Sequence, residues 1–320
     1  MRALDEIPLR EIEDARGRIA DTVLRTPLVR LDVEDAPAEI FLKLENLQPI
    51  GSFKLRGATN AMAMLPRGTM AWGVYTASAG NMAQGVAWTA RLMGAKCRVI
   101  VPEHAPEAKL AAVQRLGAEI VKVPFDDWWR ALVDHEYPGE RGVFIHPVSD
   151  PHVMAGNGTI GLEILEDLPD VDTVVVPFGG GGLSCGIASA IRANNMSTRI
   201  FACEVETAAP LAASLAADSP QTVPYTPSFV DGIGSTSVLA EMWPLARRLL
   251  EDSLVMPVAE VAKAVRLLAE RNHVIAEGAG ATPVAAALSG KAGKGKVVCV
   301  VSGGNIDTAK LVKILKGGVP

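Results

Sequence analysis

From Trp72 onward, short runs of β-branched and other apolar residues alternate with longer Ala-rich stretches whose apolar positions recur three and four residues apart. GVYTAS (73–78), CRVIVP (97–102), AEIVKVP (118–124), GVFIHP (142–147), TVVVPF (173–178), RIFACEV (199–205) and KVVCVVS (296–302) predict strands. Between them NMAQGVAWTARLMG (81–94), PEAKLAAVQRLG (106–117), GTIGLEILEDL (158–168), LSCGIASAIRAN (183–194) and AEVAKAVRLLAER (259–271) predict helices. A further strand pair is expected around TPLVRL and EIFLKLE. Strands this continuously apolar cannot leave a face in water, so the intervening helices must cover both sides. The class is therefore α/β with parallel-rich sheets, and a ligand belongs at the C-terminal ends of the strands.

Nine strands are many for one small sheet, and HPVSDPH (146–152), rich in turn formers, offers a crossing point. Two lobes follow: residues 50–148, and residues 1–49 together with 149–320. Composition narrows the chemistry. A net charge of -5 over 320 residues supplies no basic field for nucleic acid or anionic lipid. No apolar run reaches the length of a membrane span, and the charged N-terminus does not read as a secretion signal. Cys97, Cys185, Cys203 and Cys299 lie singly in apolar stretches, as buried thiols of a reducing compartment do. A cytoplasmic enzyme acting on a small molecule is expected. His104, His135, His146, His152 and His273 show no metal-ligand spacing and are expected in loops or on the surface.

Four loops are rich in Gly and small polar residues: GSFKLRGA (51–58), SAGN (78–81), GGGG (179–182) and SGGN (302–305). Any one of them is ordinary turn chemistry. The run Gly179–Gly182 opens a helix, whose N-terminal N–H groups favour a dianion, so a phosphate cradle and a structural turn carry equal weight there. The run lacks the Lys-Ser/Thr ending of a nucleotide-triphosphate loop. A dinucleotide site is a sharper rival, because Glu204 or Glu206 follows at about the required spacing of twenty residues. Lys54 by itself reads as a surface lysine at a helix start. Placed in an apolar cleft, its amine would lose solvation and its pKa would fall, as Schiff-base chemistry requires. Lysine, phosphate cradle and small polar groups together suit pyridoxal phosphate.

SFKLRGA, SAGNMAQGVA, AGNGTIGLEI, PFGGGGLSCGIA, EGAGA and SGGNID occur in this order over nearly the whole chain. In these six blocks the chain resembles the threonine/serine dehydratase family of fold-type II pyridoxal-phosphate enzymes. The resemblance implies a two-lobed fold, a homodimer, and loss of water from a β-hydroxy-α-amino acid to give a 2-oxo acid and ammonia. It implies that Lys54 is the Schiff-base lysine and the base for the α-proton, and that Phe53 packs on the cofactor ring. It places Asn81 at the ring's phenolic oxygen and Gly179, Gly180, Gly181, Gly182 and Leu183 around the phosphate. Ser302 meets the pyridine nitrogen, where a hydroxyl makes a weaker electron sink than an aspartate and disfavours transamination. Glu277 stands beside the ring, and Ser78, Ala79, Gly80 and Asn81 receive the substrate carboxylate.

Departures from the family pattern refine this. Ala79 stands where racemases of the family carry a second hydroxyl, so elimination with little racemisation is expected. Met82 replaces the usual His, and Val148 stands at a position that is often polar. If both line the pocket, a bulky substrate such as L-threo-3-phenylserine would fit. Glu206 is followed six positions on by Ala212, which leaves the divalent-metal pair of some relatives incomplete, so no bound divalent ion is expected. Thirteen residues follow Asp307, so a regulatory domain with isoleucine feedback is not expected.

Overall fold

The computed structural model describes residues 3–320 apart from Arg67 and Pro106. Among these residues ten strands form two sheets. In chain order they are β1 (Leu28–Arg30), β2 (Glu39–Leu44), β3 (Val74–Ala77), β4 (Cys97–Pro102), β5 (Glu119–Val123), β6 (Val143–Phe144), β7 (Thr173–Pro177), β8 (Arg199–Val205), β9 (Ser253–Met256) and β10 (Lys296–Val301). The larger sheet has the order β1-β2-β10-β7-β8-β9, parallel except for β1 on its edge. The smaller, β5-β4-β3-β6, is parallel throughout. Every residue of β3 and β7 is buried, which is why these strands read as unbroken apolar runs. The expected strands are all present. β9 has no counterpart among them: Ser-Leu-Val-Met is short and is specified by its pairing with Ala202–Val205 of β8.

The helix expected from residue 158 starts seven residues earlier and spans Pro151–Asp167. Asp150 caps it, accepting from the N–H of His152 at 2.7 Å and of Val153 at 3.3 Å, and proline at the first position sacrifices no hydrogen bond. The glycines that make AGNG a poor helix by propensity are required by packing. A Cβ on Gly156 would run into the carbonyl oxygen of Arg56, and one on Gly186 would lie 2.5 Å from that of Met154. Three helices, Lys54–Ala63, Pro151–Asp167 and Gly182–Asn194, thereby meet at backbone contact, which fixes the first helix, and Lys54 at its start, against the larger sheet's helical layer.

A buried ionic cluster anchors the same helix. Arg56, 1% exposed, donates to both oxygens of Glu45 at 2.8 Å and to Glu163 at 2.7 and 2.9 Å. Lys43 pairs with Glu163 at 2.6 Å and donates to the Thr26 carbonyl. Burial alone would raise the pKa of Glu45, but Arg56, Thr26 and Lys43 hold it below the usual carboxylate range. All four cysteines are free and buried. Among the described residues no helix is long and apolar enough to cross a membrane.

Candidate active site

Lys54 is the first residue of its helix, where the positive end of the backbone dipole opposes an ammonium charge. Its Nζ donates to the Pro147 carbonyl at 2.6 Å and lies 5.1 Å from the centre of the Phe53 ring. Burial lowers its pKa to about 8, against an upward pull from Glu277. A half-buried amine held by a backbone carbonyl is not the fully solvated lysine of a surface helix start. At neutral pH an appreciable share of the amine is unprotonated and nucleophilic.

The other loops converge on this amine. Asn81 donates from Nδ2 to Glu277 Oε1 at 2.8 Å and accepts at Oδ1 from Asn305 Nδ2 at 2.8 Å. Glu277 holds the N-cap position of the helix Gly278–Leu288, yet its carboxylate makes no cap and turns to Asn81 instead. Ser302 is buried at the end of β10, and its carbonyl accepts from the N–H of Phe53 at 3.0 Å, tying SGGN to GSFK. The Ser78 hydroxyl accepts from Gly80 N–H at 3.2 Å, and the helix Asn81–Leu92 that follows has no side-chain cap.

The glycine run after β7 is shaped for an anion. Gly181 holds φ +96°, a left-handed conformation costly for other residues, and the helix Gly182–Asn194 starts from it with no side-chain cap. Its first N–H groups therefore need an outside acceptor. A Cβ on Gly182 would lie 2.6 Å from the Val148 carbonyl, so backbone from the 146–149 turn roofs the run directly. A half-buried lysine of lowered pKa, an uncapped glycine-started helix and the amide and hydroxyl groups between them fit pyridoxal phosphate.

One expectation is revised. Met82, expected on the substrate wall, is 1% exposed and belongs with Ala58, Met62, Ile145 and Val153 to the apolar cluster packed on the smaller sheet. As the second residue of its helix it faces inward. Val148 does face the glycine run, against Gly180. His146 lies in a loop, as expected, and is buried there. The dinucleotide reading loses both of its candidate carboxylates: that of Glu204 is buried and accepts from Leu211 N–H, Ala212 N–H and the Ser253 hydroxyl, and that of Glu206 accepts from Val258 N–H. Sequence reasoning assigned no site role to Asn305, Pro147 or His146, although Asn305 lies in SGGN and the other two in the turn-rich segment 146–152.

The family model described as pyridoxal-phosphate dependent enzyme matches residues 19–303. The chain is 42% identical to an L-threonine ammonia-lyase of Geobacter sulfurreducens over 98% of its own length and 79% of the relative's. Among solved structures it is similar to maize serine racemase, with a TM-score of 0.90 and 33% identity over 98% of both chains. It is also similar to the processed form of threonine deaminase isoform 2 from Solanum lycopersicum, with a TM-score of 0.88 and 29% identity over 99% of this chain and 90% of that one.

Proposed function

As the chain belongs to the family of pyridoxal-phosphate dependent enzymes, we propose that it is an ammonia-lyase that removes water from L-threonine or L-serine, giving a 2-oxo acid and ammonia. The observation that carries this reading is the half-buried Lys54 amine, lowered to about 8 and held by the Pro147 carbonyl, with the Asn81–Glu277 pair and the glycine run in the neighbouring loops. When bound, pyridoxal phosphate supplies the sink for the electrons left at Cα. Lys54 takes the proton from Cα. Gly179, Gly180, Gly181, Gly182 and Leu183 bind the phosphate through backbone N–H groups, and Phe53 supports the ring. Ser302 presents a hydroxyl to the ring nitrogen, which favours elimination over transamination. Ser78, Ala79, Gly80 and Asn81 receive the substrate carboxylate at an uncapped helix N-terminus.

Threonine or serine is preferred over L-threo-3-phenylserine in this reading, because the Met82 side chain is spent on the core. The similarity to threonine ammonia-lyase supports the same choice. Comparing kcat/KM for 2-oxo acid release from the three amino acids tests it, since specificity is the ratio of those constants. A higher value for phenylserine would overturn the substrate assignment, and no 2-oxo acid from any of them would overturn the activity. The reading also takes residues 50–148 as the smaller lobe and the enzyme as a cytoplasmic homodimer, the dimer to be checked by sedimentation of the holoenzyme.

A further inference from the structure

The turn 146–149 touches both halves of the site. The Pro147 carbonyl accepts from Lys54 Nζ at 2.6 Å, while the Val148 carbonyl and side chain lie over Gly182 and Gly180. The turn is wound around one buried ring. His146 Nδ1 accepts from Val148 N–H at 3.1 Å and from Ser149 N–H at 2.8 Å. That nitrogen therefore carries no proton, and Nε2 donates to the Leu132 carbonyl at 3.0 Å. The His135 ring stacks on His146 with centroids 4.1 Å apart. The Ser149 hydroxyl donates to Glu241 Oε1 at 2.9 Å, so the far end of the turn is tied to the segment before the helix Trp243–Leu249.

We propose that His146 is a positioning residue: as a neutral imidazole accepting two amides of its own turn, it aims the Pro147 carbonyl at the Lys54 amine and seats Val148 over the glycine run. The inference rests on the reading of Lys54 as the reactive amine. Burial, with help from His135 and Lys54, pushes His146 down to about 3, in keeping with a neutral ring at neutral pH. The groups that bear on this arrangement are Glu277 and His146 around Lys54, His135 against His146, and Glu241 beyond Ser149. Glu277 pulls the Lys54 pKa up against burial; a carbonyl accepts more strongly from an ammonium than from a neutral amine, so the aimed Pro147 carbonyl should add to that pull.

The test is competitive acetylation of the cofactor-free full-length chain across pH, with modification at Lys54 read by peptide mass. For the unaltered chain a midpoint near 8 is expected. In His146→Leu the two amides lose their acceptor, the carbonyl swings away, and the midpoint falls by about one unit. In His146→Asn the side-chain oxygen accepts from the amides two and three residues ahead, as in an Asx turn, and the midpoint returns to that of the unaltered chain. An unchanged midpoint in His146→Leu overturns the proposal, as does a fall in His146→Asn equal to that in His146→Leu. Should His146→Leu not fold, Ser149→Ala carries the test, with a smaller fall expected and an unchanged midpoint overturning it. Because no substrate is involved, failure here is separable from failure of the lyase assignment: a flat titration in an active enzyme removes the role of His146 alone.

Discussion

Arg56 stands two residues from Lys54 and holds two carboxylates in the interior, so replacing it with methionine is a direct test of what fixes the lysine helix. Arg56→Met keeps most of the volume and removes the charge. Glu163 retains Lys43 at 2.6 Å, but Glu45, 0% exposed, is left with the Thr26 hydroxyl and the Gln48 amide as nearby donors. Breaking a buried pair in this way costs about 3–5 kcal/mol. With an unfolding entropy of about 2.1 cal/mol/K per residue, a chain of this length loses roughly 0.7 kcal/mol per degree near its midpoint, so Tm should fall by about 4–7 °C. The assay is the thermal unfolding of the cofactor-free chain at neutral pH, with Arg56→Met, Glu45→Gln and the double variant compared as a cycle. The double variant should be more stable than Arg56→Met, because no uncompensated charge remains inside. Acidification gives a second check. The carboxyl of Glu45 is held below its unfolded value in the folded chain, so its contribution is present above about 4.5 and is lost as pH falls through the lower folded value. The gap between the original chain and Arg56→Met should therefore narrow in acid. A fall in Tm under about 1 °C, or a double variant no better than the single, would refute the argument.

Other outcomes follow from the site. Capture of pyridoxal phosphate by the cofactor-free chain should quicken as pH rises through about 8 and then level, because the neutral Lys54 amine is the reactive form; Lys54→Ala should leave no borohydride-fixed cofactor. That same lowered pKa means the unfolded chain binds the proton more tightly, so stability of the cofactor-free form should rise with pH between about 8 and 10.5, measured by urea midpoints. Gly182→Ala would set a Cβ 2.6 Å from the Val148 carbonyl. Overpacking of about 1–3 kcal/mol should appear mainly as weaker cofactor retention in dialysis, and retention equal to the parent would argue against the cradle. Ala79→Ser, which supplies a hydroxyl at the start of the substrate helix, should raise D-amino acid formation from an L-substrate, checked by chiral chromatography.

Much of the fold was legible because parallel strands buried on both faces leave continuous apolar runs, as in the wholly buried Thr173–Pro177. β9 escaped because a four-residue strand owes its existence to β8 and carries little pattern of its own. The start of Pro151–Asp167 escaped because two glycines that packing demands look, locally, like a loop. Lys54, the glycine run and Ser302 were legible as ordered blocks. The Pro147 carbonyl was not, since a backbone oxygen leaves no trace in residue type, and it reaches Lys54 across 93 positions. Met82 shows the complementary limit: a substitution in a motif says that an environment differs, while the direction of the side chain, here into the core, comes from the helix that bears it.

The order of strands in the larger sheet has a consequence for how the chain comes into being. β10, residues 296–301, lies between β2, residues 39–44, and β7, residues 173–177, so strands made early stay apart until almost the last segment arrives. Contacts of such long sequence separation form late and slowly. Ser302, whose carbonyl receives the Phe53 amide beside Lys54, rides on that final strand. The lysine at position 54 thus precedes the strand that completes the sheet beside it by more than two hundred residues. Inserting one strand as a wedge between two edges brings in the loop that carries Ser302.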